Sequence, residues 1–291
     1  MNKRLFVMGC FVLTFIVYYC SGAELIEQKS LERADLIIFS YDQPLRLYAY
    51  IESLKLYVKG LEKIYVLYRA RGQAFERSYQ IVQKKFPDVV FVKQEHKRAD
   101  ALFKPLLLDI LFKKSVSNYV LFGVDDTIVT DFINISECIF ALELQKAFGF
   151  YLRLGKNITH VGTPTNVLTE VFPEIFAWQF KGKKHAWRLA SSIDMTIVHK
   201  NDIKKQFHGI RYNTPRQLEK VWNLQICPKS YGLCFSHSKI VKIPSNGIQE
   251  DDVTHKFLGF FNQGLKIDIR PLFQVNNERP EINYIPTFIK R

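Results

Sequence analysis

Cysteine is scarce in this chain, five residues in 291, and no CxxC pair or cysteine–histidine spacing of the zinc-binding kind occurs. A structural zinc module is therefore excluded. Low-complexity tracts and repeats of solenoid period are also missing, so the sequence describes a globular body and not an array. No ribonucleoprotein or helix-turn-helix signature is present, and no nucleic-acid partner is expected. Acidic residues are the minority, 28 against 41 Lys and Arg, giving a net charge of +13. Such a balance favours anionic partners, whether a membrane surface or a phosphorylated small molecule. The densest basic group, Lys181, Lys183, Lys184, His185 and Arg188, is short enough to be an ordinary solvated surface.

Long apolar runs are missing too. The uncharged stretch Leu5–Tyr19 is 15 residues, short of the ~20 that a full membrane span needs. Lys3 and Arg4 precede it, and Ser21-Gly22-Ala23 follow it. This is the order of a signal peptide, residues 1–23, with a signal-anchor as the alternative reading. Either one predicts an exported or membrane-anchored protein with its body outside the cytosol, and membrane association, if any, through residues 5–19. Two sequons, Asn134-Ile135-Ser136 and Asn157-Ile158-Thr159, fit export or coincidence equally. Cys227 and Cys234 can pair in an oxidising compartment, and Cys138 reads as a buried free thiol.

What is present is an alternation of strands and helices. Asp35–Ser40 is a short apolar run, followed by Asp42 as a cap, Pro44 in a first turn, and Leu47, Ile51, Leu54 and Val58 at helical spacing up to Gly60. Strand Ile64–Tyr68 precedes a helix marked by Phe75, Tyr79, Val82 and Phe86. Strand Val89–Val92 precedes a helix over about 100–114, and strand Tyr119–Val124 closes the series. Such alternation predicts an α/β fold, a mostly parallel sheet sandwiched by helices, with ligands beyond the carboxyl ends of the strands. The second half is less regular. A helix over 132–147, strands over 149–154, 195–199 and 234–243, a helix capped by Asp202 and a helix opened by the Thr214-Pro215-Arg216-Gln217 capping box are expected. Residues 155–184 read mostly as loop. One domain is expected, with a ligand-binding half at 24–155 and an irregular half at 156–291.

The chemistry concentrates at Asp125-Asp126, directly after the fourth strand. Two adjacent carboxylates repel, and a divalent cation relieves the repulsion. Mg2+ and Mn2+ prefer few carboxylates plus substrate phosphates, so this pair suits a metal–diphosphate complex. Capping of the following turn is the plainer alternative.

Ser40-Tyr41-Asp42-Gln43-Pro44, with Leu47 and Ser53-Leu54 behind it, resembles the opening strand and helix of family-2-like glycosyltransferases. Tyr119–Phe132 (YVLFGVDDTIVTDF) resembles their metal strand, in particular that of the N-acetylglucosaminyltransferase I type. The resemblance covers roughly residues 35–155. It implies a GT-A-like fold, a nucleotide-diphosphate sugar as donor, a glycan, lipid or protein hydroxyl as acceptor, and Mn2+ or Mg2+ as cofactor. Carried onto this chain, Asp126 binds the metal, and Asp125 the ribose or the metal's water shell. Ser40, Tyr41 and Asp42 lie near the nucleotide, and Arg69 and Lys104 meet the base or diphosphate. The sequence departs from the pattern at Val124, where the family has an acidic residue. A non-catalytic carbohydrate- or nucleotide-binding protein on the same fold is the alternative.

An inverting transferase needs a carboxylate to accept the acceptor's proton. Asp194, just before a strand, is the first candidate, and Glu219 and the group Glu250-Asp251-Asp252 are the others. Each also reads as an ordinary cap or surface charge. Trp178, Trp187 and Trp222 can stack on a sugar or pack in the core.

Overall fold

A computed structural model describes residues 32–95, 99–159, 168–180, 187, 190–243, 250–282 and 284–291. The expected leader at 1–23, all five residues of the basic group Lys181, Lys183, Lys184, His185 and Arg188, and the side chains of Glu250 and Asp251 lie outside the described residues. No helix among the described residues is long and apolar enough to cross a membrane.

The apolar runs of the first half become β1 (Ala34–Tyr41), β2 (Val58–Lys59), β3 (Leu61–Arg69), β4 (Val90–Lys93) and β5 (Tyr119–Val124). Between them lie α1 (Pro44–Tyr57), α2 (Gln73–Lys85) and α3 (Ala99–Asp109). The second half supplies β6 (Thr127–Val129), β7 (Ile133–Asn134), α4 (Ile135–Leu144), β8 (Gly149–Tyr151), β9 (Thr169–Phe172), β10 (Ile175–Gln179) and β11 (Thr196–His199). It continues through α5 (Lys200–Gly209), α6 (Pro215–Trp222), β12 (Tyr231–Phe235), β13 (Ile240–Lys242), α7 (Glu250–Asn262), β14 (Leu265–Ile267) and β15 (Phe288–Lys290).

Nine of these strands form one sheet in the order β4-β3-β1-β5-β11-β8-β12-β10-β9. β4, β3, β1 and β5 run parallel, as expected of right-handed β/α alternation. β11 runs antiparallel to both β5 and β8, and β10 is antiparallel to both β12 and β9. Because β12 is parallel to β8, seven of the nine strands point one way and only β11 and β10 oppose them. The sheet is thus mostly parallel, and the second half extends it.

Alternating side chains divide the core. Leu36, Ile38, Ile64, Val66 and Leu121 face α1, α2 and α4, while Ile37, Phe39, Tyr65, Leu67 and Phe122 face α3, α5 and α6. Both faces are covered, which explains why the strands read as continuous apolar runs. Trp178, Trp187 and Trp222 are all buried, so they pack and none is offered to a sugar.

Several local expectations need correction. The helix expected from Asp42 is not capped by it: Gln43 is the N-cap residue, without a side-chain cap, and Asp42 adopts φ 55°. Its first helix ends at Tyr57, and Val58 leaves it to pair with Ile133 in a short parallel bridge. Gly60 then turns at φ 85°, close against Ile135. The helix over 100–114 widens after Asp109 into a π turn, where the Ser115 amide donates to the Ile110 carbonyl. Residues 132–147 open with the bridge of β7, so the helix starts at Ile135. The strand expected over 149–154 stops at Tyr151. The single strand expected over 234–243 is two, β12 in the main sheet and β13 paired with β6. A hairpin, β9–β10, occupies part of the segment read as loop. His199, not Asp202, caps α5, and Asp202 pairs instead with Lys229 at 2.7 Å. Thr214 does cap α6, its hydroxyl accepting from the Gln217 amide at 3.1 Å.

Cys138, Cys227 and Cys234 are all free thiols, so the 227–234 pairing is not formed. Both sequon amides donate internally, Asn134 to Glu137 at 2.8 Å and Asn157 to the Asn277 carbonyl at 2.6 Å.

Gly123 on β5 is required by close approach. A methyl there collides with the Tyr50 hydroxyl, which donates to the Met195 sulfur at 2.7 Å, and meets Tyr50 ring carbons at 3.0 Å. Gly123→Ala is expected to destabilise the protein by about 1–3 kcal/mol in urea unfolding. In a Tyr50→Phe background the same change should cost less, with a coupling of at least ~0.5 kcal/mol, because the hydroxyl is gone. Equal costs in both backgrounds would show that Tyr50 is not the obstacle.

Candidate active site

The carboxyl ends of β1, β3 and β5 converge on a cleft of about 290 Å³. Ser40 and Tyr41 enter from β1, Arg69 from β3, and Val124, Asp125 and Asp126 from β5. Arg46 contributes from the first turn of α1, Gln94 from beyond β4, and Asn213-Thr214-Pro215 from the start of α6. The site lies where parallel strands end because every β/α turn of such a sheet opens on that edge.

Asp125 is 6% exposed, and its Oδ2 accepts the Tyr41 amide at 3.1 Å. Burial, then the neighbouring Asp126 charge, pushes its carboxyl up to about 7; hydrogen bonding from Ser40 and the charge of Arg46 oppose this. Asp126 is also raised, by burial first; Lys242 opposes, Asp194 adds to the rise, and Arg46 opposes. The Lys242 ammonium stands 3.5 Å from Asp126 Oδ2 and 3.1 Å from Asp194 Oδ1. Burial disfavours its charge, yet Asp194 and Asp126 together outweigh that and raise it above the usual lysine range. Glu219, on α6, accepts the Ile193 amide at 3.2 Å. Its carboxyl is raised by burial and then by Asp194, against the charge of Arg153. The fold thus brings Asp125, Asp126, Asp194 and Glu219 into one electrostatically linked group.

The other expected residues divide. The Ser40 hydroxyl is hydrogen-bonded to that of Tyr79 at 2.7 Å, which also receives the Gln43 amide at 3.2 Å. The Tyr41 ring, 39% exposed, lies under the Arg69 guanidinium at 3.9 Å and near that of Arg71 at 5.2 Å. Asp42 is not among the cleft-lining residues. Its buried carboxylate accepts the Arg71 amide at 2.7 Å and the Arg71 side chain at 2.5 Å, and so pins the β1–α1 turn to the β3–α2 turn. Lys104 also falls outside the cleft lining. Its ammonium donates to the His208 and Ile210 carbonyls at 2.8 and 2.7 Å, drawn there by the carboxyl end of α5, while Phe103 lines the cleft.

Sequence reasoning missed Lys242, Arg46, Tyr79 and Gln94. Arg46 carried a usable signal, since it lies in the first turn of the helix after β1, at the carboxyl edge. Lys242 carried none, because its place depends on the pairing of β13 with β6.

The cation implied by the resemblance can be tested against these groups. Asp126 Oδ1 is buried and has no hydrogen-bond partner. Among the described residues no three His, Cys, Asp or Glu side chains converge as a ready-made cage. One unpartnered carboxylate oxygen on a cleft-lining residue fits Mg2+ or Mn2+, which complete their shell with water and substrate phosphates. Asp126 is the residue that would hold such an ion.

No protein-family model matches the chain. Over 253 residues it is 29% identical to the bifunctional glycosyltransferase pgtA of Dictyostelium discoideum, a match that covers 74% of this chain. The chain spans about a third of that relative's length, the match covering 32% of it. Among solved structures, Staphylococcus aureus TarS 1-349 in complex with UDP aligns at 14% identity, 69% of this chain and 60% of that one, with a TM-score of 0.45. The mannosyltransferase PcManGT of Pyrobaculum calidifontis, in complex with GDP-Man and Mn2+, aligns at 10% identity, 77% of this chain and 60% of that one, with a TM-score of 0.40. A 4-diphosphocytidyl-2C-methyl-D-erythritol synthase aligns at 12% identity, 78% of this chain and 98% of that one, with a TM-score of 0.43. Likenesses at these scores carry no conclusion about chemistry. The resemblance to glycosyltransferases rests on the sequence motifs and on the Dictyostelium relative.

The state of Asp125 gives a pH prediction for the metal-free protein. Its folded value of about 7 lies above the ordinary 3.8, so the fold favours the neutral acid. That contribution is fully present below pH ~4 and is lost as pH rises through 7, a change on the order of 4 kcal/mol. Asp125→Asn should therefore exceed the wild type in stability at pH 7.5, with the gap shrinking towards pH 4.5, in urea titrations. Parallel pH curves for the two proteins would contradict this.

Proposed function

We propose that the chain is a glycosyltransferase that moves a sugar from a nucleotide-diphosphate donor to a hydroxyl acceptor. The observation that carries this is the pair Asp125 and Asp126 in the cleft at the carboxyl edge of the parallel strands, with Lys242 bridging Asp126 to Asp194. The 29% identity to a named glycosyltransferase supports it. In this reading Ser40, Tyr41 and Arg69 bind the nucleotide, the exposed Tyr41 ring and the Arg69 guanidinium giving a flat, cationic wall. Asp125 holds the Tyr41 turn and meets the ribose. A divalent cation on Asp126 would supply charge neutralisation for the departing diphosphate.

The transfer itself needs one bond made and one broken. The acceptor oxygen attacks the anomeric carbon, the bond from that carbon to the diphosphate oxygen breaks, and the nucleoside diphosphate leaves with the electron pair. In an inverting transfer a carboxylate takes the acceptor's proton. We assign this role to Asp194, which does not itself line the cleft but stands 3.1 Å from the Lys242 ammonium that also faces Asp126. Glu219, raised by burial and by Asp194, is the second choice. Loss of the base typically lowers turnover 10²–10⁴-fold. Export of the body belongs to the same reading, and places the enzyme in a compartment supplied with nucleotide sugars.

The test is calorimetric titration of the purified chain with a panel of nucleoside diphosphates, with and without Mn2+, followed by transfer assays with the donor so identified. Mn2+-dependent binding of one nucleotide, lost in Asp126→Ala, is expected. Asp194→Asn should then keep binding within about threefold while turnover falls at least 100-fold. Absence of nucleotide binding at millimolar concentration would remove the transferase reading. Binding without turnover on any acceptor would favour the non-catalytic alternative.

A further inference from the structure

Lys242 is held in place by its backbone before its side chain is considered. It ends β13 in register with Thr127 of β6, immediately after the acidic pair. Its amide donates to the Pro280 carbonyl at 2.8 Å, its carbonyl accepts the Ile282 amide at 3.1 Å, and the next amide, of Ile243, donates to the Asp126 carbonyl at 2.9 Å. Strand on one side and tail segment on the other thus fix the Cα. The side chain, 16% exposed, has little freedom to leave the space between Asp126 and Asp194.

The two oxygens of Asp126 are used unequally. Oδ2 faces the ammonium at 3.5 Å, while Oδ1 is buried and without a partner. A divalent cation on Oδ1 would sit ~2.0–2.2 Å from it. An ammonium on the other oxygen of the same carboxylate is then only a few ångströms from the ion, and the two cations repel. Asp194, on the far side of the ammonium, is its only alternative anchor among the ion pairs formed here by Lys242 in the described residues.

We propose that Lys242 is a specificity-determining residue for cation binding: its ammonium competes with a divalent ion for Asp126, so the ion enters only together with the anionic diphosphate of the donor. This rests on the donor reading above for its purpose, but the competition itself is a property of Asp126 and Lys242. The added negative charge of a diphosphate offsets the lysine, which Mn2+ alone cannot do. Binding of metal and nucleotide is therefore coupled, and the lysine sets the coupling.

The experiment is titration of Mn2+ alone into the purified chain, free ion being read by electron paramagnetic resonance. The wild type should bind with millimolar or weaker affinity. Lys242→Met should bind at least tenfold tighter, Lys242→Arg should resemble the wild type, and Asp126→Asn in the Lys242→Met background should lose the gain. A role for Lys242 confined to holding the fold together would lower the melting temperature of Lys242→Met without raising its Mn2+ affinity, and would overturn the proposal. Micromolar Mn2+ binding by the wild type alone would overturn it without any variant. Nucleotide binding with no gain in Lys242→Met sinks this inference and leaves the donor reading standing. A gain in Lys242→Met with no nucleotide binding supports the competition and removes the donor reading.

Discussion

Two carboxylates in succession at the end of a buried strand are the constraint around which this structure is arranged. Asp125 cannot leave, because β5 is the fourth parallel strand and its neighbour β1 supplies the amide that Asp125 accepts. Repulsion between it and Asp126 is met in two ways. One partner moves towards neutrality, and the other is matched by charge from Lys242 and Arg46. Those two basic residues come from opposite ends of the chain, so the electrostatic problem posed by residues 125 and 126 is solved only once residues 46 and 242 are in place. Burying charge without such partners is costly.

The packing serves the same edge. Helices α1 and α2 press on one face and α3, α5 and α6 on the other, which leaves the carboxyl ends of the strands uncovered. Asp42 and Arg71 tie the first two β/α turns together, and Tyr79 reaches from α2 to hold Ser40 and Gln43. Two turns that would otherwise move independently are thereby joined to each other and to helix α2 by side-chain hydrogen bonds. A cleft built from such turns keeps its shape without a ligand, which reduces the ordering that binding must impose.

Much of the first half was legible because its signals are local. Four apolar runs alternate with three helical patterns and their turn residues between Asp35 and Val124, which is enough to predict parallel strands with helices on both faces, though not the order of the strands. The acidic pair was legible for the same reason, as was the capping role of Thr214. Asp42 misled because the residue type suits a cap, while the competing partner, Arg71, lies 29 positions on and is brought near only by the β1–β3 pairing. Lys104 misled similarly, its helix position being right and its side chain claimed by the carbonyls of α5. The run 234–243 looked like one strand because both halves are apolar; nothing within it says that the chain changes sheets between Phe235 and Ile240. Lys242 fell in that blind spot, and the least legible residue of the site is also the one that joins its two carboxylates.

The antiparallel run of β11 against β5 has an evolutionary consequence. Thr196 is in register with Phe122, so Asp194, just ahead of β11, arrives beside the end of β5 although 68 positions separate it from Asp126 (194 − 126). Their separation is set by the spacing of adjacent strands, about 4.8 Å, and by one lysine, not by the length of the chain between them. Insertions and deletions in the connecting turns can therefore accumulate without disturbing the distance between the two carboxylates. A lineage built on this frame is free to vary its connecting turns while the two carboxylates stay where the ladder puts them.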